Sequence, residues 1–295
     1  MKCRTWVRCM RHSCLGWALL LAADAAAFAD CAKPIRVPVA PTGFNVLVLN
    51  EGAKIEGVYP ELLRQLSAGL RCEFQFPVVP RARVTLMFFE TQEADVFVPA
   101  SRTAEREARA DFVPMLKLTP TLITLGTARE LASVRDVGTL LAKKSWRGAM
   151  VRSYSWGDEY EGLLKALQAD KRIDFVNDLR TVGQMLRSGR VDFTILPPSL
   201  LYSALTLAPD GSVPEAAAQA SPDSRGAFGR EFHFTPLQGL PRSEVGAYLS
   251  RQTLSLAERQ RLREAMQRAA QDGSLLRQLQ RYYPAEVLRQ DVQIN

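Results

Sequence analysis

Histidine is nearly absent from this 295-residue chain, which holds only His12 and His233. No His-x-x-x-His, Cys-x-x-Cys or Gly-x-Ser-x-Gly occurs, so zinc, thiol-exchange and serine-triad chemistries lack their parts. A phosphate-binding glycine loop is missing too, and no metal, cofactor or catalytic residue is expected. Long hydrophobic runs are also missing: nothing approaches the roughly 20 apolar residues of a membrane-spanning helix. Neither an internal repeat nor a basic patch interleaved with aromatics is found, and nucleic acid is not an expected partner. His233 sits in an aromatic run and reads as a packed core or hinge residue sooner than as a general base.

The chain does have a leader-like start. Lys2, Arg4, Arg8 and Arg11 precede the apolar stretch 15–23, and Ala27-Phe28-Ala29 places small residues at both cleavage positions. Residues 1–29 therefore read as a secretory signal peptide cut after Ala29, with export to the periplasm. Cleavage removes four basic residues and Asp24, taking the formal charge from +7 to about +4, a surplus too small to dictate a partner. Of five cysteines, Cys3, Cys9 and Cys14 leave with that segment. Cys31 and Cys72 remain, and two cysteines in an oxidising compartment suggest one bridge. Each stands just before an alternating apolar run, 35–39 and 74–78. If those runs are neighbouring parallel strands, both thiols lie at one strand end, within disulfide reach. Lipidation at Cys31 is disfavoured by Asp30, where a small uncharged residue would be needed.

Composition is that of a globular protein, with 47% hydrophobic and 23% charged residues. Short apolar runs alternate with helical stretches. Helices are predicted at 61–66, 81–90, 134–142, 158–169, 179–187 and 199–205. Strands are predicted at 147–151, 173–176, 191–196 and 231–234. From Ser243 onward the chain reads as helical, 245–250 included. This rhythm, run through twice, predicts an α/β fold of two lobes, each a mostly parallel sheet flanked by helices, joined by two crossing strands. The expected division is 30–118 plus 234–295 for one lobe and 119–233 for the other. Residues 208–230 are poor in hydrophobics and read as a surface excursion.

The stretch Glu93 to Pro114 organises the rest. Val96-Phe97-Val98 has the branching of a core strand, Pro99 is expected to stop it, and Ser101 and Thr103 are helix-capping types. A helix starting near Ala104 would carry Arg106 and Arg109 at a strand-to-helix corner that attracts anions. Arg106 reads either as an anion anchor or as one half of a surface ion pair, and Ser101 as its neighbour or as a plain cap.

Several motifs in order resemble the periplasmic solute-binding proteins that serve ABC transporters as polar amino acid receptors (extracellular solute-binding protein family 3, with the type II periplasmic binding protein fold). Gly57-Val58-Tyr59-Pro60 resembles the family's glycine-aromatic entry to its first helix, and Pro80-Arg81-Ala82-Arg83 its Pro-x-x-Arg. Ser101 to Arg106 followed by Asp111-Phe112-Val113-Pro114, then Gly189-Arg190-Val191-Asp192, then Asp272-Gly273-Ser274-Leu275, continue the likeness. The resemblance implies a monomer that captures a small-molecule ligand and delivers it to a membrane permease. It makes Arg106 the ligand-carboxylate anchor, with Ser101 beside it. One departure stands out: Pro197 occupies the place of the acid that holds an amino acid's ammonium. An organic acid or other polar anion is therefore expected more than an ordinary amino acid.

Arg152, Ser153, Tyr154 and Trp156 follow a predicted strand and should face the cleft from the second lobe. Tyr59 and Phe44 are the corresponding candidates in the first, and all four aromatics could instead pack under their loops. Two other readings remain open. The chain could inform a membrane sensor, or it could be a cleft enzyme such as a dehydratase using Glu51, Glu61 or Asp158.

Overall fold

The computed structural model describes residues 31–49, 52, 54–126, 134–208, 212 and 228–294. Residues 1–30, which include the expected signal peptide, Glu51 and nearly all of residues 208–230 lie outside the described residues.

Two short parallel strands begin the fold, β1 (Ile35–Arg36) and β4 (Phe74–Gln75), paired Ile35 to Phe74 and extended by a parallel bridge between Val39 and Val78. That register brings the preceding cysteines together, and Cys31 and Cys72 are disulfide-bonded with their Cα atoms 5.2 Å apart. Between them lie the hairpin β2 (Leu47–Leu49) and β3 (Lys54–Glu56), then helix α1 (Val58–Leu70). Gly57 enters α1 at φ 103°, where a Cβ would stand 2.8 Å from the Phe44 carbonyl oxygen, so only glycine fits.

Helix α2 (Arg81–Phe89) leads to β5 (Val96–Ser101), whose six residues are all buried. The strand runs through Pro99 instead of stopping there, because it lies at the sheet edge beside an irregularity in its partner's register, where a missing N–H is tolerated. Helix α3 (Ala104–Arg109) then turns the chain into β6 (Ala110–Leu118).

Next come β7 (Thr121–Leu125), α4 (Val137–Ala142), β8 (Gly148–Val151), α5 (Asp158–Ala169), β9 (Ile173–Val176), α6 (Leu179–Arg187), β10 (Thr194–Leu196) and α7 (Pro198–Thr206). Asp136 caps α4, so that helix starts later than Val134. Strand β11 (Phe232–Pro236) pairs antiparallel with β7, which also pairs with β10.

The predicted helix at 245–250 is strand β12 (Ser243–Ser250), the central strand between β5 and β6. Its sequence Val-Gly-Ala-Tyr-Leu is apolar without a polar face because both faces are covered, and a buried run of that length does not separate helix from strand. Gly246 shows why the register is fixed: a Cβ there would lie 1.9 Å from the Val113 carbonyl oxygen. The chain closes with α8 (Leu256–Gln271), α9 (Ser274–Tyr282), α10 (Ala285–Asp291) and β13 (Val292–Ile294), the last pairing with β6.

The sheets are more antiparallel than the alternation of elements predicts. Among the described residues β1 with β4 and β8 with β9 pair in parallel, joined by isolated parallel bridges such as Gly148 with Phe193, while β12 returns between β5 and β6 in the opposite sense. Helix α1 packs on α8 and α9 over one sheet group, and Leu62, Leu262, Met266 and Leu275 are all buried there.

Candidate functional site

The corner where β5 meets α3 is built from its caps outward. Thr103 accepts a hydrogen bond from the Arg106 N–H at 3.3 Å, while its own N–H donates to the buried Tyr248 hydroxyl at 3.0 Å. The Arg106 side chain folds back along the strand. Its Nη1 donates to the Ser101 carbonyl at 3.1 Å, and its guanidinium carbon lies 5.6 Å from the Phe97 ring centre. Its neighbours are engaged elsewhere: Arg102 pairs with Glu107 and Glu244, and Arg109 with Glu90. Arg106 forms no ion pair among the described residues, and burial lowers its pKa from the ordinary arginine value.

Opposite stands the loop between β8 and α5. The Ser101 hydroxyl donates to the Ser155 carbonyl, and Asp158 Oδ1 and Oδ2 face the Ala104 N–H at 3.3 and 3.4 Å. Between these contacts lies a small cavity of about 30 Å³. Arg106, Ser101 and Arg81 line it from the β5 side, Tyr154, Ser155 and Trp156 from the loop, and Tyr59 from the first turn of α1. Thr42, Asn45, Leu118, Leu200 and Val245 complete much of the wall. No carboxylate is among the described lining residues. Burial raises the phenol pKa values of Tyr59 and Tyr154, which keeps both neutral hydrogen-bonding groups.

Five of the residues picked from sequence thus meet around one cavity: Arg106, Ser101, Tyr59, Tyr154 and Trp156. Three do not. Phe44 is buried in an aromatic cluster, its ring centre 5.2 Å from Tyr283, 6.0 Å from Tyr282 and 6.4 Å from Tyr202. Arg152 is exposed and donates to the Phe175 carbonyl at 3.2 Å. Ser153 adopts φ 61° in the turn, so Ser155, two residues on, presents its backbone to the site instead.

Arg81 was not singled out by sequence reading. Its Nη2 donates to the Pro99 carbonyl at 2.9 Å, and its guanidinium carbon lies 4.6 Å from the Phe97 ring centre and 5.5 Å from that of Tyr154. Desolvation lowers its pKa to about 10; the Tyr154 phenol acts in the opposite sense, and Arg106 adds to the lowering.

The carboxylates considered for catalysis stand elsewhere. Glu61 is held by Arg281 and the Tyr282 hydroxyl, and neither it nor Asp158 lines this cavity. Glu51 is outside the described residues. His233 is exposed on β11, paired across to Thr124, not packed in a core. Among the described residues no cluster of three or more His, Cys, Asp or Glu could hold a metal ion, and no helix is long and apolar enough to cross a membrane.

No family model matches the chain, and no curated protein matches it. Solved structures do. The amino acid ABC transporter substrate-binding protein AbpA of Streptococcus pneumoniae, bound to L-arginine, superposes with a TM-score of 0.63 at 16% identity, over 85% of this chain and 97% of its own. A putative L-cystine ABC transporter protein from Listeria monocytogenes gives 0.62 at 17% identity, over 86% and 97%. A histidine kinase sensor domain with similarity to periplasmic binding proteins gives 0.62 at 11% identity, over 85% and 96%. The chain has the two-lobed α/β fold of periplasmic binding proteins of type II.

Proposed function

We propose that this protein is a periplasmic solute-binding protein that captures a small anionic organic solute between two lobes and delivers it to an ABC importer. The lobes are taken as residues 30–118 with 234–295, and 119–233, hinged where β6 runs into β7 and β11 into β12. The observation that carries the reading is the cavity between β5 and the β8–α5 loop, where Arg106 stands without a carboxylate partner. A guanidinium offers a planar fork matched to a carboxylate, and apart from Arg106 and Arg81 the described wall is aromatic, aliphatic or neutral polar, as in small-molecule sites. Pro197, ahead of α7, offers no charge for a ligand ammonium, which favours an organic acid over an α-amino acid.

Reversible capture, not turnover, is the activity expected of this site, because among the described residues no lining carboxylate or imidazole is available to move a proton. A sensor role is the second reading, favoured by the likeness to a histidine kinase sensor domain. Co-purification with a permease or with a sensor kinase separates the two.

A thermal-shift screen of organic acids, amino acids and amines identifies the ligand class, because a ligand that binds only the folded state raises Tm by mass action. With a ligand in hand, Arg106→Ala should weaken binding by about 10- to 150-fold, the equivalent of a charge-assisted hydrogen bond worth roughly 1.5 to 3 kcal/mol. Arg106→Lys should recover only part of it. Unchanged affinity in Arg106→Ala would move the site elsewhere.

A further inference from the structure

The cavity carries two guanidinium groups, although one carboxylate needs only one. Arg81 and Arg106 approach the same Phe97 ring, at 4.6 and 5.6 Å from its centre, so their guanidinium carbons lie within about 10 Å of each other. Each donates one hydrogen bond to a β5 carbonyl, Arg81 to Pro99 and Arg106 to Ser101. The Arg81 Nε–H is buried and has no acceptor. Among the described residues neither cation forms an ion pair; Glu105 and Glu161 act on Arg106 only through space, and no carboxylate does so on Arg81. Arg251 and Arg259 are neutralised by Asp111, and the buried Arg172, without an ion pair among the described residues, spends Nε, Nη1 and Nη2 on the Trp146, Leu141 and Leu140 carbonyls, so it is the unused donor that sets Arg81 apart.

Two neighbouring cations taken out of water and left unpaired are unfavourable twice, through desolvation and through mutual repulsion. A monoanion relieves one of them, and a zwitterion adds a third cation to the same space. A ligand with two anionic groups relieves both.

We infer that the site takes a small dicarboxylate, one carboxylate on the Arg106 fork and the other on the free edge of Arg81, with Arg81 setting the preference for a second negative charge. The inference rests on the solute-binding reading above, in which the lobes part to admit a ligand larger than the cavity of about 30 Å³. Tyr59, Trp156, Leu118, Leu200 and Val245 provide apolar wall for the carbon skeleton between the two ends, which a compact inorganic dianion would leave uncovered.

The test is calorimetric titration of the purified protein, stripped of bound ligand by reversible unfolding. The panel is a series of short dicarboxylates including succinate and glutarate, their monocarboxylate counterparts, glutamate and inorganic phosphate. A dicarboxylate should bind at least about tenfold tighter than the monocarboxylate of equal length, than glutamate and than phosphate, as a second charge-assisted contact implies. In Arg81→Gln that ratio should collapse toward one. Arg81→Lys, which keeps the cation and loses the fork, should give an intermediate ratio.

Equal affinity for mono- and dicarboxylates, tighter glutamate, or equal losses for both acids in Arg81→Gln would overturn the inference and leave solute capture standing. Tighter phosphate would overturn the dicarboxylate assignment in favour of an inorganic dianion. Binding of no small molecule from this panel or the wider screen would overturn the proposed function as well. The wild-type ratio decides the matter even if Arg81→Gln fails to fold.

Discussion

Asp291, outside the candidate site, is the carboxyl whose burial has the most measurable consequence. It ends α10, where its backbone carbonyl accepts from the Thr119 N–H at 2.9 Å, at the junction of β6 and β7. Its Oδ2 accepts from the Ser199 N–H at 2.9 Å and the Ser199 hydroxyl at 2.7 Å, while Oδ1 is buried with no partner. Desolvation dominates and pushes the carboxyl from 3.8 up to about 7, against the two Ser199 bonds that favour the anion. The sign follows from where the proton is held. The folded state keeps it while the unfolded chain releases it, so this group's contribution to stability is full below about pH 4 and is lost progressively up to about pH 7. At about 1.4 kcal/mol per unit, a shift of roughly three units amounts to at most about 4 kcal/mol. Asp291→Asn can still accept from Ser199 and carries no charge to desolvate. It should match the wild type within about 1 kcal/mol at pH 4.5 and exceed it by roughly 2 to 4 kcal/mol at pH 8. Urea titrations at both pH values measure this. Using the difference between variants is essential, because Asp111 works in the opposite sense: burial alone would raise it, but Arg251 and Arg259 hold it below its ordinary value. A variant-minus-wild-type difference that does not change with pH would refute the buried, protonated carboxyl.

Reducing Cys31–Cys72 reopens a loop spanning 41 positions, and the chain-entropy account puts the loss near 4 kcal/mol; denaturant midpoints with and without reductant check it, and an unchanged midpoint would contradict it. Gly246→Ala drives a Cβ into the Val113 carbonyl and should destabilise by at least about 2 kcal/mol, whereas Gly69→Ala, in α1 with nothing within 4 Å, should be neutral or stabilising by a few tenths. Equal effects of the two alanines in urea titrations would count against the packing assigned to β12.

The elements easiest to read in the sequence are those whose local chemistry agrees with their surroundings. Helix α6 runs from Leu179 to Arg187 as predicted, because Asp178 caps it and its apolar residues fall on one face. Strand β12 is the contrary case. Nothing within Ser243–Ser250 indicates a strand, since its pairing partners, Val96–Ser101 and Ala110–Leu118, lie more than a hundred residues earlier. The same return path makes the sheets more antiparallel than the βα rhythm suggests, a matter of connection and not of propensity.

The candidate site divides along the same line. Arg106 and Ser101 are legible because the strand, the cap and the arginine fall within a few contiguous residues, so local rules fix their relation. Arg81 is not, because Pro80-Arg81-Ala82-Arg83 offers two arginines and only the orientation of α2 against β5 decides between them. Arg81 turns to the Pro99 carbonyl, and Arg83 pairs with Glu93 at the surface. In the β8–α5 loop a positive φ two residues past Val151 breaks the alternation by which a strand's inward and outward sides could be counted. Ser153 takes that conformation, and the residue facing Ser101 becomes Ser155. Charge points to the same division: sequence shows how many arginines a segment has, but only the assembled fold shows that Arg172 is buried with its donors on the Trp146, Leu141 and Leu140 carbonyls while Arg81 keeps a buried Nε–H without an acceptor.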